Sequence, residues 1–285
     1  MPSSMPPLQT PFSSSEEGTP ISREKRLGDK ILSGLDKIGG SLNRFSNRIG
    51  SEAWWPSTLD HECDKAARIL ASFCKDGYYP ERSTAPESLG PRTKPKVVVK
   101  IPQRVFQKCV GLAIFTVMRS GLSVSTAGGS GVVIARKEDG DWSPPSGIHV
   151  QTLGFGFMAG IDIYDCVVVI NSHEALKAFS KFRVTLGGEM SAVAGPIGVG
   201  GLLEVELSET HKPLWTYMKS RGVYCGLQLD TTIIIERFNE NTRFYGKKIS
   251  IDEIFAGQVT NVPLQAKMLM ETVGRAEGRA YDDHQ

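Results

Sequence analysis

The sequence predicts an α+β fold: one domain, residues 55–258, whose strongly curved, mainly antiparallel sheet or partly closed barrel is packed by helices. Three observations predict it. From Ile101 to Phe255, short apolar runs of β character follow one another, separated by turn residues. Glycines recur inside those runs, which suits sharp curvature and close backbone approach. Helical periodicity stands mostly ahead of the strands, and so many short sequential strands favour antiparallel pairing. With 40% apolar residues over 285 positions, the chain has material for a substantial core.

Residues 1–21 are rich in Pro and Ser and read as a disordered arm. Residues 22–50 read as a basic amphipathic helix. Leu27, Ile31, Leu35, Ile38, Leu42, Phe45 and Ile49 recur every three or four positions and share one face. Arg26, Lys30, Lys37, Arg44 and Arg48 form a second stripe beside it, and residues 21–50 hold seven Lys/Arg against three acids. This is the pattern of a helix lying in a lipid interface, with cations that reach head-group phosphates. The other outcome for such a stripe is packing on the body of the protein. A net charge of +4, at about 1 kcal/mol per charge, gives only about millimolar binding, so insertion of Leu, Ile and Phe must supply the rest.

After Trp54-Trp55-Pro56, a helix is predicted over 59–74. Ser57 or Thr58 is placed to cap it, and Leu59, Cys63, Ala66, Ala67, Leu70 and Phe73 form its apolar face. The tandem tryptophans fit a plug at a helix–sheet junction better than a membrane contact. Residues 76–96 read as a polar surface loop, and Pro102 opens a short helix over 102–110. Strands are expected at 112–118, 122–127, 132–136, 148–153, 155–163, 166–170, 184–186, 205–207, 222–229, 232–237 and 244–245. Ser172 caps a helix over 173–181, Ile251–Phe255 begins a last short helix, and 259–285 read as a C-terminal tail.

Composition excludes several function classes. With 33 basic and 31 acidic residues, the chain lacks the basic balance of a nucleic-acid coat. Its five cysteines (Cys63, Cys74, Cys109, Cys166, Cys225) show no zinc spacing and read as reduced thiols of a cytoplasmic protein. The five histidines are scattered, so neither a metal site nor a cofactor is expected. No apolar run approaches the ~20 residues that span a bilayer, so membrane contact would be peripheral.

No catalytic residue can be named. Gly128-Gly-Ser-Gly131 lacks the Gly-Lys-Ser/Thr ending of a phosphate loop, and a strand follows it. Gly154-Phe-Gly-Phe-Met-Ala-Gly160 has the wrong spacing for a dinucleotide fingerprint. Asp162 with Asp165, and Glu204 with Glu206, lack the complementary environments of an acid–base pair. A secondary basic patch, Arg119 with Lys219 and Arg221, would extend a phosphate-binding surface if the fold assembled it; Arg243, Lys247 and Lys248 form another basic group.

Several linked segments stand in a fixed order. They are Cys63-Asp-Lys-Ala-Ala67, Ile101-Pro-Gln-Arg-Val105, Gly111-Leu-Ala-Ile114, Val117-Met-Arg-Ser-Gly121, Ala127-Gly-Gly-Ser-Gly-Val132, Asp141-Trp-Ser-Pro-Pro145, Thr185-Leu-Gly-Gly188, Ala194-Gly-Pro-Ile-Gly198 and Lys219-Ser-Arg-Gly222. This order, from about Leu59 to Gly257, strongly resembles the SYLF-domain family of phosphoinositide-binding actin regulators of endocytosis. The resemblance implies a non-enzymatic protein that binds phosphoinositide-containing membranes, partly through an N-terminal amphipathic helix. It also implies F-actin as a partner, because some members bind and bundle actin filaments, and a place at the membrane periphery or cortical actin. Carried onto this chain, the lipid-binding role falls on Lys30, Lys37, Arg44 and Arg48, with Leu35, Leu42 and Phe45 inserted. Many relatives append an SH3 domain; none is expected before Gln285, so SH3-mediated partners are not expected either. The alternative function is a lipid carrier whose curved sheet encloses an apolar cavity.

Overall fold

In a computed structural model that describes residues 52–74, 100–121, 124–179, 184–195, 213–220, 223–259 and 261–279, the β-patterned region folds into one antiparallel sheet. The described residues belong to one compact unit, residues 40–285. The strands are β1 (Gly111–Gly121), β2 (Val124–Ala135), β3 (Ser146–Ile170), β4 (Val184–Gly195), β5 (Leu214–Ser220) and β6 (Val223–Glu236). The α+β expectation holds, and the sheet is curved but not closed.

Its curvature comes from β3. This strand is antiparallel to β2 through Ser146–Phe155 and antiparallel to β1 through Gly160–Ile170, while β1 and β2 are antiparallel to each other. Both ends of β3 therefore lie at the base of the β1–β2 hairpin, and its middle rounds the hairpin's tip. Gly154, Gly156 and Gly160 stand at that reversal, where the absence of a side chain eases a tight bend. On its outer side β3 pairs with β6 through residues 148–161 and with β5 through 164–170, so β5 and β6 follow the same curve. Beyond β6 lies β4, with a register shift between Leu186 and Glu189.

The hairpin is drawn tight by two glycines. A Cβ at Gly129 would fall 2.0 Å from the Thr116 carbonyl oxygen, and one at Gly131 would fall 2.0 Å from that of Ile114. No side chain fits there without parting β1 from β2. Gly131→Ala is therefore expected to cost about 1–3 kcal/mol, read as a lowered thermal midpoint; an unchanged midpoint would show that the strands relax freely.

Six α-helices are described: α1 (Leu59–Phe73), α2 (Gln103–Lys108), α3 (His173–Phe179), α4 (Phe238–Tyr245), α5 (Ile251–Phe255) and α6 (Lys267–Ala276). The predicted apolar face of α1 (Leu59, Cys63, Ala66, Ala67, Leu70 and Phe73) is wholly buried. It packs with Phe106 of α2, Leu269 and Val273 of α6, and Leu112, Ile114, Val167 and Val169 of one sheet face. The opposite face, carrying Phe115, Val133, Val150 and Val168, is covered by Leu176 and Phe179 of α3 and Ile251 of α5.

Several expectations are corrected. Residues 148–170, read as three strands, form one continuous strand, because pairing on both sides carries the ladder through the glycines. Phe244–Tyr245, read as a strand, ends α4. There Asn241 accepts from Gly147 N–H and donates to Ser146, and Gly246 takes the left-handed conformation that stops the helix. Leu214–Ser220, assigned no strand, is β5. The segment read as a C-terminal tail carries α6, which packs on α1. Neither Ser57 nor Thr58 caps α1 with its side chain; the Leu59 N–H donates instead to the Glu240 carboxylate. The strand expected at 205–207 lies outside the described residues.

Candidate functional site

Where α1 crosses β2, charged groups are buried together. Glu62 and Lys65, one turn apart on α1, form an ion pair with 0% and 2% side-chain exposure. The Lys65 ammonium also donates to the carbonyls of Ala53 and Ser130, each at 3.0 Å. Glu62 accepts from the Ser130 hydroxyl at 2.7 Å and from both N–H and hydroxyl of Ser57 at 2.9 Å. Burial alone would raise the Glu62 pKa, but Lys65 and Arg237 outweigh it and hold the carboxyl below its ordinary value. A serine, a lysine and a carboxylate thus converge as they would around a nucleophile. Yet Ser130 is fully buried, and the Lys65 ammonium is committed to an ion pair and two carbonyls. Substrate cannot reach the hydroxyl, and the Lys65 nitrogen is already engaged with Glu62 and two carbonyls. The cluster fixes α1 on the sheet.

Two members of the secondary basic patch, Arg119 and Lys219, are not brought together. Arg119 stands opposite Asp162 on the β1–β3 ladder, while Lys219 stands opposite Asp165 on the β3–β5 ladder. Positions 162 and 165 are three apart on one strand, so Arg119 and Lys219 point to opposite faces of the sheet. Arg119 is only 4% exposed, with its guanidinium 5.2 Å from the centroid of the Tyr164 ring. The Asp162/Asp165 pairing dissolves for the same reason. Asp162 accepts from Ser220 at 2.6 Å on one face, and Asp165 accepts from Thr116 at 2.9 Å on the other. Lys30, Leu35, Lys37, Leu42, Arg44, Phe45, Arg48 and Arg221 lie outside the described residues.

Arg119 also lines a cleft with Phe115, Tyr164, Cys166, Thr216 and Met218, whose volume is about 20 Å³. That is room for a water molecule, far below the roughly 300 Å³ at which ligand pockets begin. The cleft offers no acyl chamber to a lipid carrier. Among the described residues, no His/Cys/Asp/Glu group has metal-holding geometry, and no helix is long and apolar enough to cross a membrane.

Sequence reading passed over the exposed cations Arg104 and Lys108 on α2. A signal was present: residues 88–137 contain nine Lys/Arg and no acid.

Residues 151–276 match a family model described as Ysc84, Las17-binding protein actin regulator. The chain is 38% identical over 220 residues to SH3 domain-containing YSC84-like protein 1 of Bos taurus, covering 76% of this chain and 59% of that protein. It is 34% identical over 231 residues to Protein YSC84 of Saccharomyces cerevisiae, covering 80% and 46%. To LAS seventeen-binding protein 3 of S. cerevisiae it is 36% identical over 210 residues, covering 73% and 42%. The family description names an actin regulator that binds Las17, and one of these relatives is named as a LAS seventeen-binding protein. The chain thus spans about three-fifths or less of the length of these relatives. No solved structure matches.

Proposed function

The chain belongs to the SYLF (Ysc84) family, and from that premise we propose that it is an actin-regulatory protein that binds actin filaments and anionic, phosphoinositide-containing membranes. The likeness to Ysc84-type proteins across three-quarters of the chain carries the actin half of this reading. The membrane half rests on residues 27–49, where an apolar stripe is flanked by Lys30, Lys37, Arg44 and Arg48. The sheet domain supplies a rigid body, and the segment ahead of it supplies the lipid contact. The place of action is the cytoplasmic face of a membrane, next to cortical actin, during endocytosis.

Two measurements test the halves separately. The full chain should co-sediment with actin filaments, and it should float with vesicles containing phosphoinositide more than with neutral phosphatidylcholine vesicles. Failure to sediment with filaments removes the first half. Equal flotation on both vesicle types removes the second.

A further inference from the structure

The acid-free stretch 88–137 delivers its exposed charge at one place. On α2, Val105 and Phe106 point into the core, which leaves Arg104 and Lys108, one helical turn apart, exposed to solvent. Lys100, also exposed, precedes the helix and donates to the Ser72 carbonyl. β5 lies alongside. Trp215 and Tyr217 are two apart on that strand and so share a face; Trp215 is 41% exposed. Tyr217 packs on the same core cluster as Val105 and Phe106. Burial raises the Tyr217 hydroxyl pKa, and Arg104 is close enough to offset part of that rise. The end of α2 is tied to the same corner. The Val110 N–H donates to Ile170, the residue paired with Leu214 next to Trp215.

This surface is held rigidly. Arg136 donates to the carbonyls of Phe106 and Cys109, and Gln103 and Gln107 both donate to the Glu277 carbonyl. A fixed helix therefore presents two cations, Arg104 near Tyr217 and Lys108 one turn on, with Trp215 on the same strand face as Tyr217 and no acid on α2 or β5. Tryptophan, tyrosine and arginine are the residues that dominate protein–protein binding energy, and they bind most tightly where they are pre-organised. Among the described residues no exposed aliphatic side chain accompanies Trp215 on α2 or β5, so the apolar area on offer is small for bilayer insertion and the composition favours a protein surface.

We propose that the α2–β5 face, centred on Arg104, Lys108 and Trp215, docks an acidic protein surface, which on the actin reading above is that of the filament. None of its residues belongs to the 22–49 segment to which the reading above gives the membrane contact.

The test uses the full chain with actin filaments and, separately, with phosphoinositide vesicles. Arg104→Glu/Lys108→Glu and Trp215→Ala alter exposed side chains, and circular dichroism melting checks that each variant stays folded. Lys247→Glu/Lys248→Glu makes the same change of charge at exposed positions elsewhere. The α2 double variant is expected to bind filaments at least about tenfold more weakly and with flatter salt dependence. Trp215→Ala should weaken binding at all salt concentrations, while the Lys247/Lys248 variant should bind filaments like wild type and all three should float normally. Equal filament binding by wild type and the α2 variant would overturn the assignment while leaving the actin reading intact. Equal weakening by both double variants would reduce it to net charge, and lost flotation with retained filament binding would make the face a lipid site; either result overturns it. If wild type does not sediment with filaments, the actin reading fails and the assignment with it.

Discussion

Replacing Lys65 with Met is expected to destabilise the domain by about 3–5 kcal/mol, because Glu62 would be left charged and buried with its closest cation gone. The Ala53 and Ser130 carbonyls would also lose a donor. Against a typical folding stability of about 5–15 kcal/mol, this is a large fraction. Glu62→Gln should cost less, since the amide oxygen still accepts from Ser57 and Ser130 while the charge disappears. Urea titrations of both single variants and the double variant give the coupling, which should be positive and within about 0.5–3 kcal/mol. A Lys65→Met protein with the wild-type midpoint would show the pair to be dispensable.

The same pair sets an acid limit. The Glu62 pKa is lowered in the folded protein, so its contribution is fully present above the ordinary carboxylate value and is lost as pH falls through the folded value. Wild type should therefore lose stability on acidification more steeply than Glu62→Gln. Parallel acid limbs would contradict this.

Substituting Ser at Leu35, Leu42 and Phe45 together should abolish vesicle flotation even at low salt. Each removes roughly 1.5–3 kcal/mol of apolar burial, more in sum than the total millimolar-range attraction that charge alone provides. Neutralising Lys30, Lys37, Arg44 and Arg48 acts differently. It should weaken flotation by about 1 kcal/mol per charge and flatten its dependence on ionic strength, because the screened term is gone. If deletion of residues 1–50 left phosphoinositide flotation unchanged while the domain stayed folded, the amphipathic stripe would be no membrane anchor.

Much of the fold was legible because its signals are local. The stripe Leu59–Phe73 repeats at helical spacing, and every residue named on it is buried. Ser172 caps α3 within the local chain: its side-chain oxygen accepts the Ala175 N–H at 3.1 Å. Ser250 and Glu253 likewise close a capping box at α5. What escaped depends on distant partners. Gly154 and the pair Tyr164–Asp165 read as breaks between strands, yet flanking strands carry the ladder through them. Phe244–Tyr245 has β propensity, but Asn241, 94 residues from its Gly147 partner, fixes a helix there. The α6 segment had a usable signal in Leu269, Val273 and Ala276, at helical spacing within a polar stretch. The patch of Arg119 and Lys219 could not be judged without register, since a shift by one position moves a side chain to the other face. Glu62 and Ser130 are 68 positions apart, and nothing in either local pattern announces their contact.

One experiment bears most directly on a membrane–filament linker. Fluorescent actin filaments are mixed with phosphoinositide-containing vesicles and floated through a density gradient, with and without the full chain. Filaments should rise with the vesicles only when the protein is present, and stay at the bottom with the Leu35/Leu42/Phe45→Ser variant. Filaments that remain at the bottom with wild-type protein, although it binds each ligand alone, would contradict simultaneous binding.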